Sequence, residues 1–89
     1  MSDMITLFED EETSKIRYIS FIGGANFRFD LAIIQTDRFF GKKLVISIQS
    51  GRTGIIGPDD LEEPGFLEGT FQLKEEEAQE LYQYLIQVV

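Results

Sequence analysis

The chain has 89 residues, with 16 acidic and 8 basic side chains and a formal net charge of −8. It contains no cysteine and no histidine, which excludes disulfides, thiolate chemistry, Ser-His-Asp triads and histidine zinc sites. No apolar run is long enough to span a bilayer, and the acidic amino-terminal stretch is unlike a secretory signal. We therefore expect one small cytoplasmic domain over residues 1–89, with no membrane segment.

The first two thirds of the chain have the alternating pattern of a sheet. Residues 5–8 are predicted as a short strand, and residues 15–22 and 27–35 as two longer strands separated by a glycine turn. Residues 37–42 are predicted as a hairpin connection, followed by strands at 43–49 and 52–57. Because these connections are too short for parallel crossovers, the sheet should be antiparallel.

The last third changes to a helical pattern. An acidic loop with one helical turn after Pro58 is expected first, then a weak strand at residues 66–72. From Lys74 onward, apolar residues recur with the helical period. The prediction is an α+β fold, an α/β sandwich in which a meander-like antiparallel sheet of four to six strands carries a carboxy-terminal helix, about residues 74–88, on one face. The alternative is a small barrel closed by the amino-terminal strand.

The central strands are apolar on both faces, although a single helix can cover only one. The residues assigned to the helix face are Phe27, Phe29, Leu31, Ile33, Leu44, Ile46 and Ile48. The residues assigned to the second face are Ile19, Phe21, Ala32, Ile34 and Val45, with Phe39 and Phe40 at its edge. Strands with two apolar faces normally have both covered. The seven residues of the second face and its edge are therefore the candidate interface of a homo-oligomer, either a dimer or a dimer of dimers.

The charges are segregated along the chain, with five acids in residues 1–13, seven bases in residues 14–57 and nine acids in residues 58–89. We expect the basic middle to neutralise the acidic ends within the fold or across a dimer. The alternative is a basic face exposed to a partner. Its candidate residues are Arg17, Arg28, Arg38, Lys42, Lys43 and Arg52.

No pattern predicts a catalytic, cofactor or metal site. Asp30 and Asp37 are seven residues apart and would face opposite sides of one strand, so ion pairs with neighbouring arginines are the simpler interpretation. The glycines at 51, 54 and 57 lack the Lys-Ser/Thr of a phosphate-binding loop. The residue types and their spacing favour a non-catalytic accessory or protein-interaction module, whose protein partner the sequence does not identify. A nucleic-acid-binding module is the alternative, and a metal-assisted hydrolase using Asp30 and Asp37 is a third hypothesis.

Three segments carry a resemblance to a known family. They are Arg28-Phe29-Asp30-Leu31-Ala32-Ile33-Ile34-Gln35-Thr36-Asp37-Arg38-Phe39-Phe40-Gly41-Lys42, Gln49-Ser50-Gly51-Arg52 and Gly57-Pro58-Asp59-Asp60-Leu61. Through these segments the chain resembles, over nearly its whole length, a family of small acidic proteins of unknown function from Gram-positive, Bacillus- and Staphylococcus-like bacteria. The resemblance implies an α/β sandwich, a cytosolic setting and an oligomer, and it implies no activity and no catalytic residues.

Overall fold

A computed structural model of the protein describes residues 3–24 and 26–89. Its sheet contains four strands: β1 (Lys15–Ile22), β2 (Arg28–Gln35), β3 (Lys43–Ser47) and β4 (Thr53–Ile56). They lie in the order β1-β2-β3-β4 and every neighbouring pair is antiparallel, so the predicted meander is confirmed. In the part of the chain that the structure describes, β1 and β4 are free edges and the barrel alternative is wrong.

The hairpin between β2 and β3 is built around a short 3-10 helix, Asp37–Phe39. Phe40 and Gly41 follow with φ angles of 54° and 85°, and the Lys42 N–H donates to the Phe39 carbonyl at 3.0 Å. Two successive residues with positive φ turn the chain tightly, and glycine is the residue that takes this conformation without steric cost. The turn therefore forms at the site that the sequence predicts.

Three helices follow the sheet: α1 (Pro58–Leu61), α2 (Phe66–Phe71) and α3 (Glu75–Val88). The helical turn after Pro58 and the carboxy-terminal helix are confirmed. The helix α3 begins where Lys74 donates its backbone N–H to the Glu77 carboxylate at 2.9 Å. This bond satisfies a backbone donor at the start of the helix, although a lysine side chain cannot cap it.

Two predicted strands are wrong. Residues 66–72 form α2 with its cap, because Leu67 and Phe71 lie one helical turn apart and are both buried. Residues 5–8 belong to no strand or helix. Their large side chains are 73–94% exposed, so neither a pairing strand nor a packed core fixes their backbone.

The helices pack on one face of the sheet and enclose the hydrophobic core. From the sheet the core takes Phe29, Leu31, Ile33, Val45 and Ile56, and from the helices it takes Leu67, Phe71, Ala78, Leu81 and Leu85. An aromatic cluster closes one end of this core. Phe21 stacks on Phe29 with ring centroids 4.9 Å apart and lies 5.1 Å from the ring of Tyr84 in α3.

Candidate functional site: the open face of the sheet

The strand register decides which side chains point toward the helices. Ile19 pairs with Leu31, Phe21 with Phe29, and Val45 with Ile33. Residues directly opposite each other on neighbouring strands lie on the same face. Ile19, Phe21 and Val45 therefore face the helices. Their assignment to the second face was wrong.

The second face has no helix over it in the described chain, and we call it the open face. Ala32 and Ile34 lie on it as predicted. Leu44 pairs with Ile34, and Ile46 pairs with Ala32. Ile48 lies two residues after Ile46 and points to the same side, so Leu44, Ile46 and Ile48 also belong to the open face. Their assignment to the helix face was wrong, because β3 is shifted by one residue relative to the pattern that the sequence suggested.

Apolar side chains form a row across all four strands of the open face. The Cα pairings run from Ile16 to Ile34, from Ile34 to Leu44 and from Leu44 to Ile55. A second row contains Tyr18, Ala32, Ile46 and Thr53. Four of the large apolar side chains of this face are 43–71% exposed: Ile16, Tyr18, Ile48 and Ile55. Sequence reasoning missed Ile16, Tyr18 and Ile55, which the alternation of β1 and β4 could have identified once the register was known.

One end of the open face is polar. Ser20 donates a hydrogen bond to Asp30, and the Arg28 Nε lies 3.0 Å from an Asp30 carboxylate oxygen. The hydrogen bond from Ser20, and then that from Arg28, holds the pKa of Asp30 below its usual value. The ion pair that the sequence predicts for Asp30 is confirmed, and this carboxylate stays charged.

Asp37 lies in the hairpin beyond the end of β2, and the five residues of extended strand from Asp30 to Gln35 alone span about 17 Å. In residues 3–24 and 26–89, no group of three or more acidic side chains could hold a metal ion. The geometry therefore does not bring together the two carboxylates that the hydrolase hypothesis requires.

The hairpin carries the two aromatic residues that the sequence assigns to the edge of the interface. Phe39 is half-buried, whereas the side chain of Phe40 is 99% exposed. Both lie beyond the end of the open face rather than on it, because β2 ends at Gln35 and β3 begins at Lys43.

Two of the basic residues bind the acidic ends of the chain. An Arg38 guanidinium nitrogen lies 3.3 Å from the carboxylate of Asp10, and the Lys42 ammonium lies 2.9 Å from that of Asp60 and 3.6 Å from that of Asp59. The hydrogen bond from the Gly57 backbone N–H, and then that from Lys42, keeps the pKa of Asp60 low. For these residues, the basic middle neutralises the acidic ends as predicted.

The other four candidate bases lie in three places. Arg17 and Lys43 are on the helix side of the sheet beside the carboxy-terminal end of α3, where Lys43 donates to the Val88 carbonyl. Positive charge is favourable there because the helix dipole is negative at its carboxy-terminal end. Arg28 is on the open face, and Arg52 follows the turn between β3 and β4. The six bases do not converge on one surface.

A family model matches residues 7–87. The chain belongs to the SAV0927-like family. This is a family of uncharacterised small bacterial proteins, and the match confirms the resemblance seen in the sequence. No curated protein matches the chain significantly. In the described residues, no helix is long and apolar enough to cross a membrane.

Proposed function

We propose that the protein is a non-catalytic accessory module of the cytoplasm that dimerises by packing its open face against that of a second copy. The observation that carries this proposal is the apolar row from Ile16 to Ile55, which crosses the whole sheet with no helix above it. Full burial of an aliphatic or aromatic side chain is worth about 1.5–3 kcal/mol. Exposed apolar patches of this kind mark interaction surfaces.

The size of the open face suits a dimer interface. The strand β1 has 8 residues, about 26 Å in length, and four strands spaced about 4.8 Å apart are about 19 Å wide. The projected area is therefore at most roughly 500 Å², and the accessible surface of the side chains on it is larger. A stable interface buries about 800 Å² per partner, so nearly the whole face would be used.

A twofold axis between the two sheets is the simplest arrangement for identical copies. The product is a four-layer assembly in which helices lie outside and two sheets pack about 10 Å apart in the middle. At one end of the face, Arg28 neutralises the charge of Asp30, which also accepts a hydrogen bond from Ser20. This end can therefore lie at the rim, where polar groups remain hydrated.

A non-catalytic role agrees with the state of two acidic side chains, Asp30 and Asp60. A general acid or base needs a pKa near neutrality, whereas hydrogen bonds lower the pKa values of Asp30 and Asp60. Both carboxylates are also engaged with basic side chains of the same chain.

Two isoleucines of matched exposure test the proposal. Ile16 on the open face is 49% exposed, and Ile86 on α3 is 48% exposed. We expect Ile16→Lys to weaken dimerisation at least about tenfold, because it places an unpaired charge inside the interface. Ile86→Lys should leave the dimerisation constant unchanged, and circular dichroism should show that both variants are folded. Equal effects of the two substitutions, or no effect of either, would rule out the open face as the interface.

A further inference from the structure

The segment 3–14, which we call the arm, extends away from the rest of the chain. Glu12 accepts a hydrogen bond from the Thr36 hydroxyl at 2.6 Å, and Asp10 pairs with Arg38, whose guanidinium lies 5.9 Å from the centre of the Phe8 ring. These contacts direct the arm past the hairpin between β2 and β3. The radius of gyration of the Cα atoms is 15.3 Å, against about 12 Å for a compact chain of this length.

The free part of the arm is apolar. Met4, Ile5 and Leu7 are 92%, 83% and 94% exposed, and Phe8 is 73% exposed. Transfer of such side chains from water into an apolar groove lowers the free energy. Acidic residues, Asp3 and Glu9, flank this apolar stretch.

A groove with a matching lining lies at the opposite end of the sheet, on the helix side. Its floor includes Phe27, Phe71 and Leu73, and its rim includes Ser50, Arg52 and Gln72. Its volume is about 200 Å³, below the range of about 300–1,000 Å³ that is usual for small-molecule pockets. A groove of this size accommodates one or two side chains rather than a cofactor.

We propose that the arm of one copy docks in this groove of a second copy, so that two arms are exchanged across the dimer. Contacts of Phe8, Asp10 and Glu12 hold the arm at the hairpin, so only residues 3–7 are free, and their extended length of about 17 Å is shorter than the roughly 26 Å of β2 that separates them from the groove of their own chain. The apolar residues of the arm fit the groove floor, and the carboxylate of Asp3 or Glu9 can pair with Arg52. Glu77 also lines the groove, and its carboxylate accepts a hydrogen bond from the Lys74 backbone N–H. The inference rests on the proposed function, because an antiparallel face-to-face dimer places the hairpin end of one copy beside the groove end of the other.

The lengths agree with this exchange. Residues 3–7 in extended conformation reach about 17 Å, and two packed sheets are about 10 Å apart. The remaining length carries the arm around the end of the partner sheet to the groove on its helix side.

The chain has no cysteine, so introduced thiols report on this contact directly. Full-length Leu7→Cys protein is mixed with full-length Ser50→Cys protein under mild oxidation, and the mixed disulfide is measured by mass spectrometry. The matched control replaces Ser50→Cys with Gln83→Cys, an exposed position on α3. We expect at least about ten times more mixed disulfide with Ser50→Cys than with Gln83→Cys, because docking raises the local concentration of the two thiols.

The mass of the same proteins is measured by light scattering in their reduced form, before oxidation, which separates this inference from the proposed function. Equal disulfide yields in a protein of dimer mass would overturn the arm exchange and leave the face-to-face dimer standing. Equal yields in a protein of monomer mass would overturn both. A selective disulfide that forms in a protein whose Ile16→Lys variant has an unchanged dimerisation constant would keep the exchange and reject the open face.

Discussion

Ile34 and Leu44 are directly paired across β2 and β3 on the face of the sheet that no helix covers. Their pairing joins Ile16 on one edge strand to Ile55 on the other in a single apolar row. A surface of this kind is energetically unfavourable in an isolated chain of 89 residues, whose total stability is about 5–15 kcal/mol.

The dimer should become tighter as salt is added. Each copy has a net charge of −8, so two copies repel each other, and the apolar contact itself does not depend on salt. Between about 0.01 M and about 1 M salt, the screening length falls from about 30 Å to about 3 Å. Sedimentation equilibrium over this range should show a decreasing dissociation constant. A dissociation constant that rises with salt would indicate an interface held by ion pairs.

The packing of α2 on β4 should not tolerate a methyl group at Gly54. A Cβ at Gly54 would lie 2.8 Å from the Thr70 methyl carbon of α2, which is closer than van der Waals contact allows. Gly54→Ala should therefore lower the free energy of unfolding by about 1–3 kcal/mol.

Gly69 in α2 is the matched control, because a Cβ there meets nothing within 4 Å. Gly69→Ala should raise the free energy of unfolding by about 0.5–1 kcal/mol, since alanine favours the helix more than glycine does. Urea denaturation measures both values. A neutral Gly54→Ala would mean that α2 moves away from β4 without cost.

The unfolding of the protein should depend on the ionisation of Asp60. The Gly57 N–H and the Lys42 ammonium hold the pKa of Asp60 below 3.8 in the folded state. Its contribution to stability is therefore fully present above this pH and is lost as the pH falls through the folded-state pKa. Thermal melts at decreasing pH should show a smaller acid destabilisation for Asp60→Asn than for the original protein. Identical pH profiles would contradict a stabilising role for this contact.

Nucleic acid should not bind with appreciable affinity. Arg28, Arg38 and Lys42 are already paired with acids. Arg17 and Lys43 lie together beside the end of α3, away from Arg52, and the net charge of the chain is −8. Fluorescence anisotropy with labelled single- and double-stranded oligonucleotides at about 50 mM salt should show no saturation up to about 100 μM protein. Saturable binding that weakens steeply with salt would favour the nucleic-acid-binding alternative.

The strands, the hairpin at Gly41 and the helix α3 could be predicted because their periods and turn residues are local. The faces of β2 could also be predicted, but those of β1 and β3 could not, since they depend on register. In β3, Leu44 and Ile46 look like core residues beside Lys43 and Ser47. The pairing of Leu31 with Ser47 nevertheless turns Val45 inward and leaves Leu44 and Ile46 outside. A shift of one residue exchanges the two faces of a strand, and no single segment of sequence records it.

The mass of the native protein in solution shows whether the open face joins two copies of the chain. Sedimentation equilibrium between about 1 μM and about 100 μM covers the range in which a dimer of moderate affinity forms. The proposed dimer predicts a species of twice the chain mass of 10.2 kDa, which the Ile16→Lys substitution converts to single chains. A folded protein that remains at 10.2 kDa over the whole range would contradict it.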